Sequence, residues 1–327
     1  MMTEKVPGSP YDGPPLSWRP APPRPARRRR SELAVPGSNA RMMQGAATSD
    51  ADAVFLDLED SVAPSEKVAS RAQIVQALNE NDYGDKATVV RINDLSTKWA
   101  VRDVVDVVEG AGSELEAVML PKTRGPEDVA ALDIMLTSLE QQLGLTHTIG
   151  IEAQIETATG ISRVEKIAHA SKRLIALVFG PGDYAAYADM PVLSIGAHDF
   201  AYPGHVYHFA LQRIVTAAKA AGLQTIDGPF GKFRDLEGLR NSAQMASLLG
   251  CDGKWAVHPA QIPVLNEVFS PSAAEIGKAT AIRDRYFQAT EEEGLGAVAL
   301  NGDEMLDEAS RKLAEVVLQR AKEDGKL

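Results

Sequence analysis

The chain has 327 residues, 44% of them hydrophobic and 24% charged, so it can bury the core of one barrel-sized domain or of two smaller ones. A formal net charge of -11 excludes a general nucleic-acid binder, because phosphate contacts need a basic surface. The longest apolar runs, such as Leu174–Phe179, have the length of a strand and are too short to span a membrane. Cys251 is the only cysteine, which excludes an intramolecular disulfide and predicts a cytoplasmic protein.

Residues 1–30 are rich in proline and end in four consecutive arginines, Arg27–Arg30. No apolar stretch of the secretory type follows them, and Glu4, Asp12 and the prolines disfavour an amphipathic transit helix. We therefore predict a mobile tail over residues 1–30, whose arginines at most attract an anionic ligand.

From residue 31 onward, short β-branched runs alternate with longer stretches of helical periodicity, which is typical of parallel βα units. The predicted strands are Glu32–Val35, Ala53–Leu58, Thr88–Ile92, Ala117–Leu120, Thr148–Gln154, Leu174–Phe179, Gln224–Ile226 and Lys254–Val257. The predicted helices are Lys67–Leu78, Trp99–Val108, Pro126–Leu143, Gly160–Ala170, Tyr207–Ala221 and Leu236–Leu249. Eight such units predict an α/β fold, a (β/α)8 TIM barrel over residues 31–270. An open doubly wound sheet has fewer strands and a glycine-rich first turn, which residues 35–39 do not form.

Residues 271–327 predict a small C-terminal helical cap. Ser272–Glu292 and Glu304–Arg320 have helical patterns, and a strand-like link, Ala297–Leu300, lies between them. Glycines on both sides of the link, including Asn301-Gly302, suggest hinges. We expect the cap to pack on a neighbouring subunit.

Polar residues follow the predicted strands at the end where each one stops. They are Asp57, Glu59, Asp60, Arg91, Asn93, Lys122, Gln154, Glu156, Asp183, Asp227 and His258. Any one of these carboxylates could be a helix cap or the partner of an arginine. Because the carboxyl ends of barrel strands meet at one rim, the whole set predicts an active site there.

Glu156 and Asp183 are the candidate metal ligands, for Mg²⁺ or alternatively Mn²⁺, because Mg²⁺ takes one or two protein carboxylates and leaves positions for water and substrate. The alternative role of Asp183 is to cap a helix that begins near Tyr184, and that of Glu156 is an ion pair with Arg91. The Arg91 guanidinium, flanked by apolar residues, needs an anionic partner, which is Glu59, Asp60 or a substrate oxygen.

The histidines and the cysteine are predicted to be structural. His205, His208 and the His198-Asp199 pair match no closed set of zinc ligands. His258 precedes a proline and offers its backbone to a pocket, and Cys251 is expected as a buried small side chain.

Nine segments together identify the chain as similar to a known superfamily. They are VPGSN (35–39), AVFLDLEDSVAPSEK (53–67), VVRIN (89–93), MLPK (119–122), IETATGI (155–161), FGPGDYAA (179–186), IDGPFGKF (226–233), GKWAVHPAQ (253–261) and NEVFSP (266–271). In this order the segments resemble the HpcH/HpaI aldolase and citrate lyase β superfamily, from about residue 30 to the end. The last three favour the malyl-CoA lyases within it over the citrate lyase β subunits.

The resemblance implies Mg²⁺-dependent cleavage of a malyl-CoA-like thioester in a homotrimer or homohexamer. It gives the following roles: Glu156 and Asp183 as metal ligands, Arg91 on the substrate oxygens, Gly182 and the backbone of Val257-His258 in the CoA-ester pocket, and Asp307 as an acid/base delivered by the cap of an adjacent subunit. Glu59 and Asp60, which follow the second predicted strand, are expected to support Arg91 from behind.

Two departures from the pattern concern CoA binding and the cap. Asn39 and Gly45 stand where some malyl-CoA lyases have an arginine and a lysine that contact CoA, so Arg27–Arg30 or Arg41 would have to replace them. The run around Asp307 is also one residue longer. Four activities remain open beside malyl-CoA cleavage: β-methylmalyl-CoA cleavage, citramalyl-CoA cleavage, malyl-CoA hydrolysis and passive CoA-ester binding within a larger lyase complex.

Overall fold

The computed structural model describes residues 27–191, 194–196, 206–300 and 304–327. Eight parallel strands form a closed barrel in chain order, with β8 paired to β1, so the predicted (β/α)8 fold is confirmed. The strands are β1 Ser31–Pro36, β2 Ala53–Asp57, β3 Ala87–Arg91, β4 Ala117–Leu120, β5 Gly150–Ile155, β6 Leu174–Phe179, β7 Gln224–Asp227 and β8 Gly253–Ala256. The predictions for residues 1–26, His198, Asp199, His205 and Asn301-Gly302 lie outside the described residues.

Helices surround the barrel. They are α1 Ala40–Ala47, α2 Lys67–Glu80, α3 Ala100–Ala111, α4 Pro126–Leu143, α5 Ala158–Ser162, α6 Val164–Ala168, α7 Pro181–Tyr187, α8 His208–Ala220, α9 Leu236–Leu249 and α10 Ile262–Val268. Helices α4 and α9 begin and end at the predicted residues. The single helix predicted for Gly160–Ala170 is instead two short helices that meet at Arg163.

Two apolar layers hold the barrel together. Inside it, Phe55, Met119, Val178 and Trp255 pack against one another. Between the strands and the helices lies a larger layer of buried aliphatic side chains. Successive residues of each strand alternate between these two layers, because side chains on a strand point to opposite faces. This alternation explains why the strands read as nearly continuous apolar runs.

The four arginines before β1 do not form a free tail. Arg29 is 1% exposed and donates to Glu116 over 2.7 Å, and Arg28 Nε donates to Asp324 over 2.8 Å. A Cβ atom on Gly253 would lie only 1.6 Å from the Arg29 carbonyl oxygen, so the segment presses directly against β8. The expectation that Arg27–Arg30 are mobile is therefore wrong, because buried carboxylates near the amino ends of the strands hold them. They lie at the end of the barrel opposite the candidate site and cannot bind a ligand there.

The cap consists of the helices α11 Ala273–Glu291 and α12 Glu308–Glu323 with a small hairpin, β9 Val298–Leu300 and β10 Glu304–Leu306. The prediction of one helix over Glu304–Arg320 is wrong in its first turn, since Glu304–Leu306 pairs with β9 and Asp307 caps α12. The two helices share a small core of their own around Ala279, Ala314 and Leu318.

The cap joins the barrel at the end where Arg28 lies. There Asp324 accepts from Arg28, and Arg320 Nη2 lies 3.6 Å from Oδ1 of Asp252, the residue before β8. Asp307 lies at the other end of α12, which has 16 residues, so it is about 24 Å from this attachment. None of the described helices has the length and apolar composition needed to cross a bilayer.

Candidate active site

A cavity of about 400 Å³ opens at the carboxyl ends of the strands. Its wall includes Pro36 at the end of β1, Asp57 at the end of β2 and Asp60 beyond it, Arg91 at the end of β3, Gln154 in β5 and Glu156 after it, Gly182 and Asp183 from α7, and Val257 after β8. Side chains far apart in the sequence are thus brought together at the predicted rim, as the strand ends require.

Arg91 is fixed at the floor of this cavity by Asp57. Its Nε and Nη2 atoms donate to the two carboxylate oxygens of Asp57, each over 2.7 Å. The guanidinium lies 5.3 Å from the ring centroid of Trp255, and Nη1 is 3.1 Å from Glu59 Oε2. Burial raises the pKa of Asp57, but the charge and hydrogen bonds of Arg91 outweigh it and hold the pKa at about 2. The internal partners are therefore Asp57 and Glu59, and Asp60 is wrong as a partner of Arg91.

Lys122 forms a second cationic group beside Arg91. Its ammonium donates to Glu59 and lies 3.4 Å from Asp60 Oδ2 and 3.7 Å from Asp183 Oδ1. Asp60 is 59% exposed, so of the two predicted supporting carboxylates only Glu59 is buried in the network. The backbone of Lys122 has φ +49°, which is unusual for a residue with a side chain and turns its amide toward Glu156.

Glu156 is 1% exposed and accepts from the Lys122 amide over 2.8 Å and from the Gln154 side chain. Burial raises its pKa to about 8, and the negative charges of Glu59 and Asp183 add to this increase. A Cβ atom on Gly180 would lie 2.1 Å from Glu156 Oε2, so only glycine leaves room for this carboxylate. A buried carboxyl group beside two other carboxylates is an electrostatic arrangement that a cation would stabilise.

Asp183 faces the same cavity from the first turn of α7. The helix begins at Pro181 with Gly180 as its cap, so Asp183 is not the helix cap that was considered as an alternative. Among residues 27–191, 194–196, 206–300 and 304–327, no three His, Cys, Asp or Glu side chains are grouped to bind a metal. Glu156 and Asp183 are a pair of carboxylates with oxygen donors only, which suits Mg²⁺ and does not suit Zn²⁺.

The other predicted residues are divided between the cavity and its surroundings. Gly182 and Val257 line the cavity, whereas His258 lies beside it and caps a 3₁₀ turn over Pro259–Gln261. Asn39 is occupied as the cap of α1, accepting from the Met42 amide over 3.0 Å. Asp307 caps α12 through Oδ1 and does not line the cavity of its own subunit.

Three residues complete the network although they were not singled out as site residues: Asp57, Lys122 and Gln154. Each lies at a strand end that the sequence marks as polar, so the position was visible but the role was not.

Burial raises the pKa of the Cys251 thiol, consistent with a buried structural side chain.

Comparison with known proteins agrees with this geometry. Residues 30–259 match the HpcH/HpaI aldolase/citrate lyase family, and the chain belongs to that family. It is 41% identical over 315 residues to the L-malyl-CoA/beta-methylmalyl-CoA lyase of Cereibacter sphaeroides (strain ATCC 17025 / ATH 2.4.3), covering 94% of this chain and 98% of that protein. It is 36% identical to the citrate lyase subunit beta of Escherichia coli (strain K12), covering 92% of this chain and 96% of the relative.

Among solved structures, the chain is similar to protein CitE from Mycobacterium tuberculosis in complex with magnesium, acetoacetate and coenzyme A. The TM-score is 0.71 at 29% identity, covering 91% of this chain and 99% of that one.

Proposed function

We propose that this chain is a Mg²⁺-dependent CoA-ester lyase that cleaves (S)-malyl-CoA reversibly to acetyl-CoA and glyoxylate. The observation that carries the proposal is the buried Glu156 carboxyl beside Asp183 and Arg91 in one cavity at the barrel rim. The 41% identity with a malyl-CoA/beta-methylmalyl-CoA lyase over almost the whole chain supports this substrate class. Residues 31–270 are the catalytic barrel in this proposal, residues 271–327 are the cap, and the enzyme works in the cytoplasm.

Cleavage removes the proton of the substrate hydroxyl, breaks the adjacent carbon–carbon bond and places a proton on the released thioester enolate. Glu156 and Asp183 would hold Mg²⁺ through carboxylate oxygens, and the neighbour structure that contains magnesium supports this choice. When bound there, the ion supplies Lewis-acid polarisation of the substrate's hydroxyl and carboxylate oxygens.

Arg91 supplies a fixed positive charge that stabilises the negative charge developing on the substrate oxygen. Two of its nitrogen atoms are held by Asp57, so the guanidinium cannot rotate away from the cavity. Lys122 balances the charge of Glu59 and Asp183, which lowers the cost of gathering several carboxylates at one rim. Gly182 and Val257 shape the pocket for the thioester.

Asp307 protonates the enolate carbon of a site in another copy of the chain. It lies at the free end of the cap, far from the point where the cap joins its own barrel. Leu313 and Met305, near Asp307, are 71% and 68% exposed, as expected of side chains that a neighbouring subunit covers. A homotrimer or homohexamer is therefore part of the proposal.

Closely related acyl groups remain within reach of the same site. A pocket distinguishes one methyl group by about 1–3 kcal/mol, so β-methylmalyl-CoA is a second expected substrate, and the name of the relative supports this. Citramalyl-CoA cleavage and malyl-CoA hydrolysis are the competing activities that an assay must separate. The similarity to a citrate lyase subunit beta keeps passive CoA-ester binding as the other outcome.

The direct test is glyoxylate release from (S)-malyl-CoA by the purified chain, with Mg²⁺ or Mn²⁺, after EDTA, and in the Asp307→Ala variant. We expect release with the metal ion and loss in both controls. Malate without glyoxylate would indicate hydrolysis instead, and pyruvate from citramalyl-CoA with no reaction of malyl-CoA would indicate the citramalyl activity. CoA-ester binding without turnover of any of these esters would contradict the lyase assignment.

Mixing variants tests whether the cap works across subunits. Asp307→Ala and Glu156→Gln are each expected to be inactive alone. After subunits exchange in a 1:1 mixture, about a quarter of the wild-type activity should return. Half of the subunits keep an intact metal site, and half of these sites have a neighbour with an intact cap. Recovery of no activity despite demonstrated exchange would place Asp307 in its own subunit's site or outside the reaction.

A further inference from the structure

Lys122, two residues after β4, contacts both proposed metal ligands. Its backbone amide donates to Glu156 Oε1 over 2.8 Å, and its ammonium lies 3.7 Å from Asp183 Oδ1. Its φ of +49° is a conformation that side chains rarely adopt, and it turns the amide toward Glu156. Within the part of the chain that the structure describes, Lys122 is the cation that forms an ion pair with either ligand.

The ammonium group of Lys122 is held in this place and stays charged. It donates to Glu59 and lies 3.4 Å from Asp60 Oδ2, and the side chain is only 15% exposed. Burial lowers the pKa of Lys122, but the charge and hydrogen bond of Glu59, with the charges of Glu156 and Asp60, outweigh it and raise the pKa above its usual value. The active-site rim therefore carries a permanent positive charge beside Asp183.

Arg91, the other cation at this rim, differs because its charge is already matched. Two of its nitrogen atoms donate to the carboxylate of Asp57, so the two groups form a neutral pair. Lys122 instead makes single contacts with three carboxylates, one of which is Asp183. A unit positive charge beside a metal ligand repels a divalent cation, and the repulsion is larger where protein replaces water.

We propose that Lys122 lowers the affinity of the site for a divalent cation, so that the ion exchanges readily with the solution. The proposal rests on the proposed function, in which Glu156 and Asp183 hold the ion. The alternative is that Lys122 only keeps the rim in shape by neutralising carboxylates. The two roles predict opposite results: loss of a repelling charge strengthens ion binding, whereas loss of a structural contact distorts the site and weakens it.

The test is the Kd of Mg²⁺, and separately of Mn²⁺, measured by calorimetric titration of the full chain without substrate. Lys122→Gln removes the charge but keeps a side chain that can donate to Glu59, and we expect it to bind both ions about tenfold more tightly. The gain should be similar for the two ions because it depends on their charge. Lys122→Met is a second uncharged variant with the same expected gain, and Lys122→Arg, which keeps the charge, should bind the ions like the wild type.

Arg124→Gln is the matched control. It removes one positive charge from the same loop, but the Arg124 guanidinium pairs with Asp94 and the residue does not line the cavity, so the Kd should change by less than about twofold. Unchanged or weaker ion binding by Lys122→Gln and Lys122→Met, a gain for one ion only, or an equal gain in Arg124→Gln would overturn the role of Lys122. Because the titration contains no CoA ester, the expected pattern in a protein that cleaves no malyl ester would overturn the reaction and leave the role of Lys122 standing.

Discussion

The two ends of the barrel hold the same kinds of side chain and use them differently. At the carboxyl ends of the strands, Arg91 is buried against Asp57 and Glu59. At the amino ends, Arg29 is buried against Glu116 and lies 3.2 Å from Glu152. Arg91 lines the cavity of about 400 Å³ together with further carboxylates, whereas the cavity at the amino ends is lined by the neighbouring Arg27, Arg28 and Arg30 and not by Arg29, Glu116 or Glu152. The comparison shows that buried charge alone does not mark an active site, and that access to a ligand does.

The network at the amino ends of the strands is buried and consists mostly of glutamates. Glu32 and Glu152 are fully buried in the barrel interior, and burial raises the pKa of both, with the charge of Glu152 adding to the increase for Glu32. Arg29 enters this region from the segment before β1 and supplies the positive charge that the glutamates need. We interpret this end as a structural closure of the barrel.

The largest expected effect is a loss of lyase activity from a substitution at the carboxyl ends of the strands. Asp183→Asn removes a charged ligand from a side chain that is 32% exposed, so glyoxylate release should fall by a hundredfold or more, roughly the scale of one lost metal or oxyanion contact. The free energy of unfolding, from urea denaturation, should change by less than about 0.5 kcal/mol, as for partly exposed positions. Activity near that of wild type would remove Asp183 from the site.

Arg29→Met should have the opposite profile. Loss of the guanidinium leaves Glu116 and Glu152 without their buried partner, which costs about 3–5 kcal/mol of unfolding free energy. Activity per folded molecule should be retained, because Arg29 does not line the cavity. Arg311→Met, which breaks an exposed pair with Glu308, is the control and should change stability by less than about 1 kcal/mol. Equal stability of the two variants would contradict a closing role for Arg29.

The smallest effect concerns pH. A glutamate whose pKa is raised on folding stabilises the protein below its unfolded pKa, near 4.5, and this contribution is lost as pH rises through the folded pKa. In that window the wild type should lose up to about 1.4 kcal/mol of unfolding free energy per pH unit for one retained proton. The side chain of the Glu32→Gln variant does not titrate in this range. Its free energy of unfolding, from denaturation series at several pH values, should therefore depend less on pH. Parallel pH curves for the two proteins would show that Glu32 is not protonated in the fold.

The grouping of side chains at the carboxyl ends of the strands was largely predictable from the sequence, and the network at the amino ends was not. Strand periodicity placed Arg91, Glu156 and Asp183 at strand ends, and the rule that barrel strands end at one rim brought them together. The pairing of Arg29 with Glu116 joins residues 87 positions apart and leaves no periodic trace in the chain. The second cap helix was predicted to begin too early because Glu304–Leu306 has helix-compatible composition, while its pairing with β9 is a tertiary contact.

The contact between Arg28 and Asp324 has a consequence for the order of folding during synthesis. The two residues are 296 positions apart, so Arg28 leaves the ribosome long before its partner exists. Gln224 and Gly253, which also contact this segment, are made late as well. The segment before β1 must therefore wait, exposed, until the last barrel strands and the end of the cap have been translated. Such a separation gives the native contacts a long average span and predicts slow closure, in which the segment before β1 is made before the barrel strands and packs after them.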